Sequence, residues 1–170
     1  MEITQMQMQR QMSMGVQVIP EHVKVVYLNE KYMYNYSSFV KRYSRRSPHY
    51  IIVDTALKYE WNNNVTTNIV CNEFLHNEYR RSFIELHYKY CDMLKFEKYV
   101  GARFADFGFK CPLVAEKRYF MNFTTPMDEF PNVFPYEHAR IDTEFTVTAT
   151  GESILKIYFY AHFKNMVEKH

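Results

Sequence analysis

Glycine is scarce in this chain, with four in 170 residues, and that scarcity rules out a glycine-rich loop of the kind that cradles phosphate. Neither GxxxxGK[ST], GxGxxG nor GxSxG occurs. No run approaches the roughly 18 apolar residues of a membrane span, so no stable membrane insertion is expected. Charge of one sign is lacking too. Lys and Arg number 21 against 19 Asp and Glu, a net charge of +2, too balanced to make nucleic acid a partner. The seven His are scattered, with no HExxH and no Cys at zinc-ligand spacing, so no metal site is expected. Asp92, Asp106 and Asp128 form no dyad. Neither an enzyme nor a cofactor is expected.

Aromatic residues are abundant: 14 Phe and 15 Tyr, against a single Trp. With 47% apolar residues, the chain has ample material for one core, and the length suits one domain. The first fifteen residues, MEITQMQMQRQMSMG, are interrupted by Gln and Arg and offer no apolar h-region. They read as a disordered polar lead, a cloning scar or a misassigned start. The domain plan is a lead over residues 1–20 and one domain over 21–170. Three cysteines, Cys71, Cys91 and Cys111, leave at least one thiol unpaired. Three glycosylation sequons begin at Asn35, Asn64 and Asn122. Together these lean toward an oxidising, secretory compartment.

Strand signals recur along the chain. Residues 23–28 are β-prone, 31–36 are Tyr-rich, and the basic stretch 41–46 reads as a charge-protected edge or loop. Residues 49–61 and 65–74 flank Asn62-Asn63-Asn64 and look like a hairpin. In 80–90, Ser82, Ile84, Leu86, Tyr88 and Tyr90 share one face opposite the mostly polar Arg81, Phe83, Glu85, His87 and Lys89. From Cys91 to Phe104 the period lengthens: Met93, Leu94, Phe96, Val100 and Phe104 fit one amphipathic helix at about 92–106. Residues 117–124 are aromatic-rich, and Pro126, Pro131 and Pro135 punctuate a loop. A last hairpin follows, 138–148 with 153–164, turning at Gly151-Glu152. The fold class expected is all-β, mainly antiparallel: a two-sheet β-sandwich or β-cup with one inserted helix. A Cys91–Cys111 bond would close a loop of about 20 residues and contribute on the order of 3 kcal/mol. The alternative is three reduced, buried thiols in a cytosolic protein.

Several segments resemble a large family of secreted insect proteins, long catalogued as a domain of unknown function. They are Tyr90-Cys91-Asp92-Met93-Leu94, Cys111-Pro112, Arg118-Tyr119-Phe120-Met121-Asn122-Phe123, Pro131 with Pro135, and Ala139-Arg140-Ile141-Asp142. The family is similar to the chemosensory protein B group and, more remotely, to ganglioside-activator and ML-type lipid-recognition proteins. The likeness covers roughly residues 50–165. It implies a β-cup with an apolar cavity, a Cys91–Cys111 disulfide, secretion, and binding of lipids or hydrocarbon-like signals. The chain departs from the family pattern in lacking early cysteines in residues 20–50 and in leaving Cys71 without a partner.

The function expected is a secreted, non-enzymatic binder of a hydrophobic small molecule or lipid. Its cavity is expected to be lined by Ile84, Leu86 and Tyr88, by Met93 and Phe104, by Phe120, and by Phe145, Val147, Leu155, Ile157 and Phe159. One rival is an extracellular interaction module with a solid core that docks on a receptor protein. A cytosolic or viral structural protein is the other.

Overall fold

Side-chain alternation sorts the chain into two sheets. The computed structural model of this protein describes residues 16–98, 101–124 and 135–165. In one sheet are β1 (Val16–Leu28), β4 (Val65–Leu75), β5 (Glu78–Lys89), β7 (His138–Val147) and β8 (Ser153–Asn165), in the order β1-β8-β7-β4-β5. In the other are β2 (Met33–Arg42), β3 (His49–Leu57) and β6 (Arg118–Thr124), in the order β2-β3-β6. Every pairing is antiparallel. The architecture is therefore the all-β, two-sheet arrangement expected.

Its connections differ from expectation at one place. The segments either side of Asn62–Asn64 do not pair: β3 lies between β2 and β6, while β4 pairs with β5 and β7. The asparagines instead carry the chain from one sheet to the other. The backbone N–H of Asn62 donates to Asn64 Oδ1 (2.9 Å), and that of Asn64 donates to Asn62 Oδ1 (2.7 Å). Hidden from a sequence search was the true hairpin, β4–β5. Its turn residues His76 and Asn77 both have positive φ (51° and 64°), the geometry of a tight two-residue turn usually marked by glycine. The hairpin of β7 with β8 forms as expected, with Gly151 at φ 75° completing the turn.

β1 begins at Val16, five residues before the expected domain boundary. Residues 16–20 pair with 161–165 of β8, and Val16 and Val18 are buried. The apolar alternation there is too short to stand out. Pro20, which has no N–H to give, sits at a register shift on this edge strand. Residues 1–15 lie outside the described residues. So do Pro126 and Pro131.

The single expected helix is two: α1 (Tyr90–Phe96) and α2 (Gly101–Asp106). Between them Glu97 turns extended (φ −77°, ψ 119°). Its buried carboxylate accepts the Gly101 N–H at 2.7 Å, satisfying a donor that α2 would otherwise leave open. Gly101 packs so closely on α1 that a Cβ there would lie 1.8 Å from the Met93 carbonyl oxygen. Met93, Leu94 and Phe104 keep a helical period across the break, which is why the pattern reads as one element.

The two sheets meet along β1 and β2, whose contact is continuous with the Asn29–Tyr32 turn. On the opposite side, β5 and β6 share no such seam, and the α1–α2 segment fills the gap. There Phe107 stacks on Phe123 of β6 (centroids 5.0 Å), with Phe104 and Phe109 edge-on to the same ring. No helix among the described residues is long and apolar enough to cross a membrane.

Candidate functional site

The sheets do not close on each other. They enclose a cavity of about 480 Å³, within the range of small-molecule sites. β4 contributes Thr67, Ile69 and Cys71 at alternate positions; β3 faces them with Ile51, Val53, Thr55 and Leu57. β7 and β8 add Ile141, Thr143, Phe145, Leu155, Ile157 and Phe159, and the helical segment adds Met93, Leu94, Phe104, Phe107 and Phe109. Strand alternation explains the wall: inward positions are apolar or Thr, while outward neighbours such as Thr66, Asn68, Asp142 and Lys156 are polar.

Of the residues expected to line it, Ile84, Leu86, Met93, Phe104, Phe145, Leu155, Ile157 and Phe159 are on the wall. Val147 is buried in the packed cluster around Trp61, and Tyr88 packs half-buried against that cluster, so neither faces the cavity. Phe120 is a correction. It is 61% exposed on the outer face of β6, while its neighbours Met121 and Phe123 line the cavity. In a strand that carries aromatic residues on both faces, a one-residue shift in register reverses the faces. Thr67, Ile69 and Cys71 were missed, although the alternation through 65–71 carried them. Trp61 was missed as well. It is fixed to Leu113 by reciprocal backbone hydrogen bonds of 2.9 Å each and packs on Phe145, with centroids 4.7 Å apart.

Cys91 and Cys111 form a disulfide, Cα–Cα 5.5 Å, that ties α1 to the strand-like segment holding Leu113. Cys71 is a free, buried thiol on the cavity wall, and burial pushes its pKa up to about 11. The Tyr90 hydroxyl donates to the Lys110 carbonyl at 2.9 Å, and its burial raises its pKa far above the usual tyrosine value. Tyr36, facing inward from β2, is likewise raised by burial, with the Ser38 hydroxyl beside it. Three polar atoms on the wall are wholly covered and have no hydrogen-bond partner: Ser38 Oγ, Trp61 Nε1 and Thr67 Oγ1. On the wall, the charged residues are Glu85 and Glu97; none is basic.

Outside the cavity, the described residues include one set of donors that could hold a metal ion. Glu137, His138 and His162 place their ligand atoms within 4.8 Å of one another on the sheet surface. The expectation of no metal site overlooked it because His138 and His162 are far apart in sequence but directly opposed across β7 and β8. Their rings stack at 4.5 Å, and Glu21 lies 3.1 Å from His138 Nδ1. Of the sequon asparagines, Asn35 and Asn122 are exposed on the small sheet. Asn64 Nδ2, by contrast, donates to the Glu60 carbonyl at 3.1 Å.

What the geometry defines is a two-sheet β-cup with an internal apolar chamber. No family model matches the chain, and no curated protein matches it. Among solved structures, it is similar to chicken MD-1 complexed with lipid IVa. The two are 11% identical, the match covers 90% of this chain and 92% of that one, and the TM-score is 0.42. A superposition that loose gives this chain neither a family nor a ligand.

Proposed function

We propose that this chain is a secreted, non-enzymatic binding protein for a hydrophobic small molecule or lipid, of the kind that serves as a chemical signal. The observation that carries the reading is the 480 Å³ chamber, whose wall is almost entirely aliphatic and aromatic. Each 100 Å² of ligand surface removed from water there contributes about 2.5 kcal/mol before the cost of association. The Cys91–Cys111 disulfide and the exposed sequon residues Asn35 and Asn122 support secretion. Binding is favoured over catalysis because the wall carries no histidine and its one thiol is held protonated. A solid-core interaction module is the rival, and an open chamber of this size counts against it.

The test is protein secreted from cultured insect cells, analysed by native mass spectrometry before and after solvent extraction, together with uptake of the neutral probe N-phenyl-1-naphthylamine. An extractable apolar mass or saturable probe uptake is expected. A bare protein mass together with no probe uptake would sink the proposal.

A further inference from the structure

We propose that the chamber is matched to an uncharged ligand bearing one hydrogen-bonding oxygen on an apolar chain (a ketone, ester or alcohol), with that oxygen seated at the corner formed by Trp61 and Thr67. This rests on the reading of the chamber as a ligand site. Trp61 is 4% exposed and Thr67 1%, and the indole N–H and the threonine hydroxyl both sit on the cavity wall without a protein partner. Buried polar groups left unpaired are rare, because each forfeits its hydration without replacement. A third such atom on the wall, Ser38 Oγ, belongs to β2, whereas Trp61 and Thr67 are drawn together: Phe145 is the cross-strand partner of Thr67, and its ring packs on Trp61. Two other hydroxyls on the wall are already committed. The Tyr90 hydroxyl is bonded to Lys110, and the Thr55 hydroxyl donates to the Asn35 carbonyl at 2.8 Å.

Donor and acceptor chemistry then narrows the ligand. Indole Nε1–H only donates, so it asks for an oxygen acceptor; the threonine hydroxyl can donate to the same oxygen or accept from an alcohol. A carboxylate would also accept, but no Lys, Arg or His lines the chamber to hold its charge, and the one buried acid there, Glu97, opposes it. A pure hydrocarbon would fill the space and leave both groups unpaired. The neutral oxygenated chain satisfies both.

The chain holds one tryptophan, so intrinsic emission reports on Trp61 alone. Three ligands of equal chain length, dodecane, dodecan-2-one and dodecanoate, are titrated at neutral pH against bound N-phenyl-1-naphthylamine. The ketone should bind about tenfold more tightly than the other two, and it alone should shift the Trp61 emission. In Thr67→Val the ketone should lose about tenfold while dodecane is unchanged, and the ligand-free melting temperature should rise because a stranded hydroxyl has gone. Trp61→Phe should weaken the ketone selectively as well. Equal binding of all three ligands, tightest binding of dodecanoate, or an undiminished ketone preference in Thr67→Val each overturns the oxygen seat and leaves the chamber reading intact. If none of the three displaces the probe or binds, the chamber reading falls with it.

Discussion

At the Trp61 end of the chamber, a disulfide and loop-to-loop hydrogen bonds clamp the wall in addition to the strand ladders; at the Cys71 end the strand ladders and side-chain packing hold it without a covalent link. Around Trp61 lie the Cys91–Cys111 disulfide, the reciprocal Trp61–Leu113 bonds and the Tyr90–Lys110 bond, which brace one buried cluster that includes Met33, Leu57, Met93 and Leu155. Four residues beyond Thr67 along β4, about 13 Å away at strand rise, Cys71 meets Val16, Val18, Ala139, Ala161 and Phe163. Small residues and a free thiol make that cluster apolar. The difference separates two tasks: the clamped end can fix the position of one atom group, and the unclamped end can accommodate apolar length.

If the clamped end is what fixes the fold, the largest effect should follow from Gly101→Ala. The new Cβ would overlap the Met93 carbonyl, a backbone atom that cannot swing away, so α2 must lift off α1. A loss of about 4 kcal/mol in urea unfolding is expected. The companion Gly108→Ala, where φ is 99° but space is open, should cost only about 1 kcal/mol. Next comes Cys91→Ser with Cys111→Ser, which opens the loop and should cost about 3 kcal/mol. Similar unfolding midpoints for the parent and this double variant would show that packing, and not the clamp, holds the Trp61 end.

The Cys71 end should respond in the opposite sense. Cys71→Leu extends a larger apolar group into the chamber, so stability should hold or rise by about 1 kcal/mol while uptake of N-phenyl-1-naphthylamine falls. Retained uptake would mean that ligands do not reach this end. The parent thiol gives a second check. With its pKa pushed to about 11, it stays protonated at mildly alkaline pH, so a thiol reagent should leave native protein untouched and label one thiol per chain after unfolding without reductant.

How much of this was legible in sequence depends on what covers each strand. β7 and β8 are central strands with one face inward, so Phe145, Leu155, Ile157 and Phe159 alternate cleanly with polar neighbours and could be placed. β6 is aromatic on both faces, so its register was not fixed by pattern and Phe120 fell on the wrong side. β4 was readable as a strand, yet its inward Thr67 looks polar, and nothing local says that a hydroxyl will be buried. Trp61 reaches the wall only because Leu113, 52 positions later, pairs with it. Such long-range contacts, like the opposed His138 and His162, leave no trace in local spacing.

The smallest expected effect concerns the turns that cap the Trp61 end. Glu152, after the β7–β8 turn, accepts from the Tyr32 hydroxyl, from Lys31 and from Asn29, joining that turn to the one between β1 and β2. The Tyr32 hydrogen bond, then Lys31, holds its carboxyl below the ordinary glutamate value of 4.5. A depressed folded-state pKa means that the carboxylate contributes stability at pH values above 4.5, and that this contribution drains away as pH falls through the lower folded value. Glu152→Gln removes the titrating group but keeps its size. The melting temperature of the parent should therefore exceed that of the variant at neutral pH, and the gap should narrow in acid. The site is open to water, so the gap should be small and should shrink with added salt. A gap that is constant with pH would mean that the turn-to-turn link is held by shape and not by the Glu152 charge.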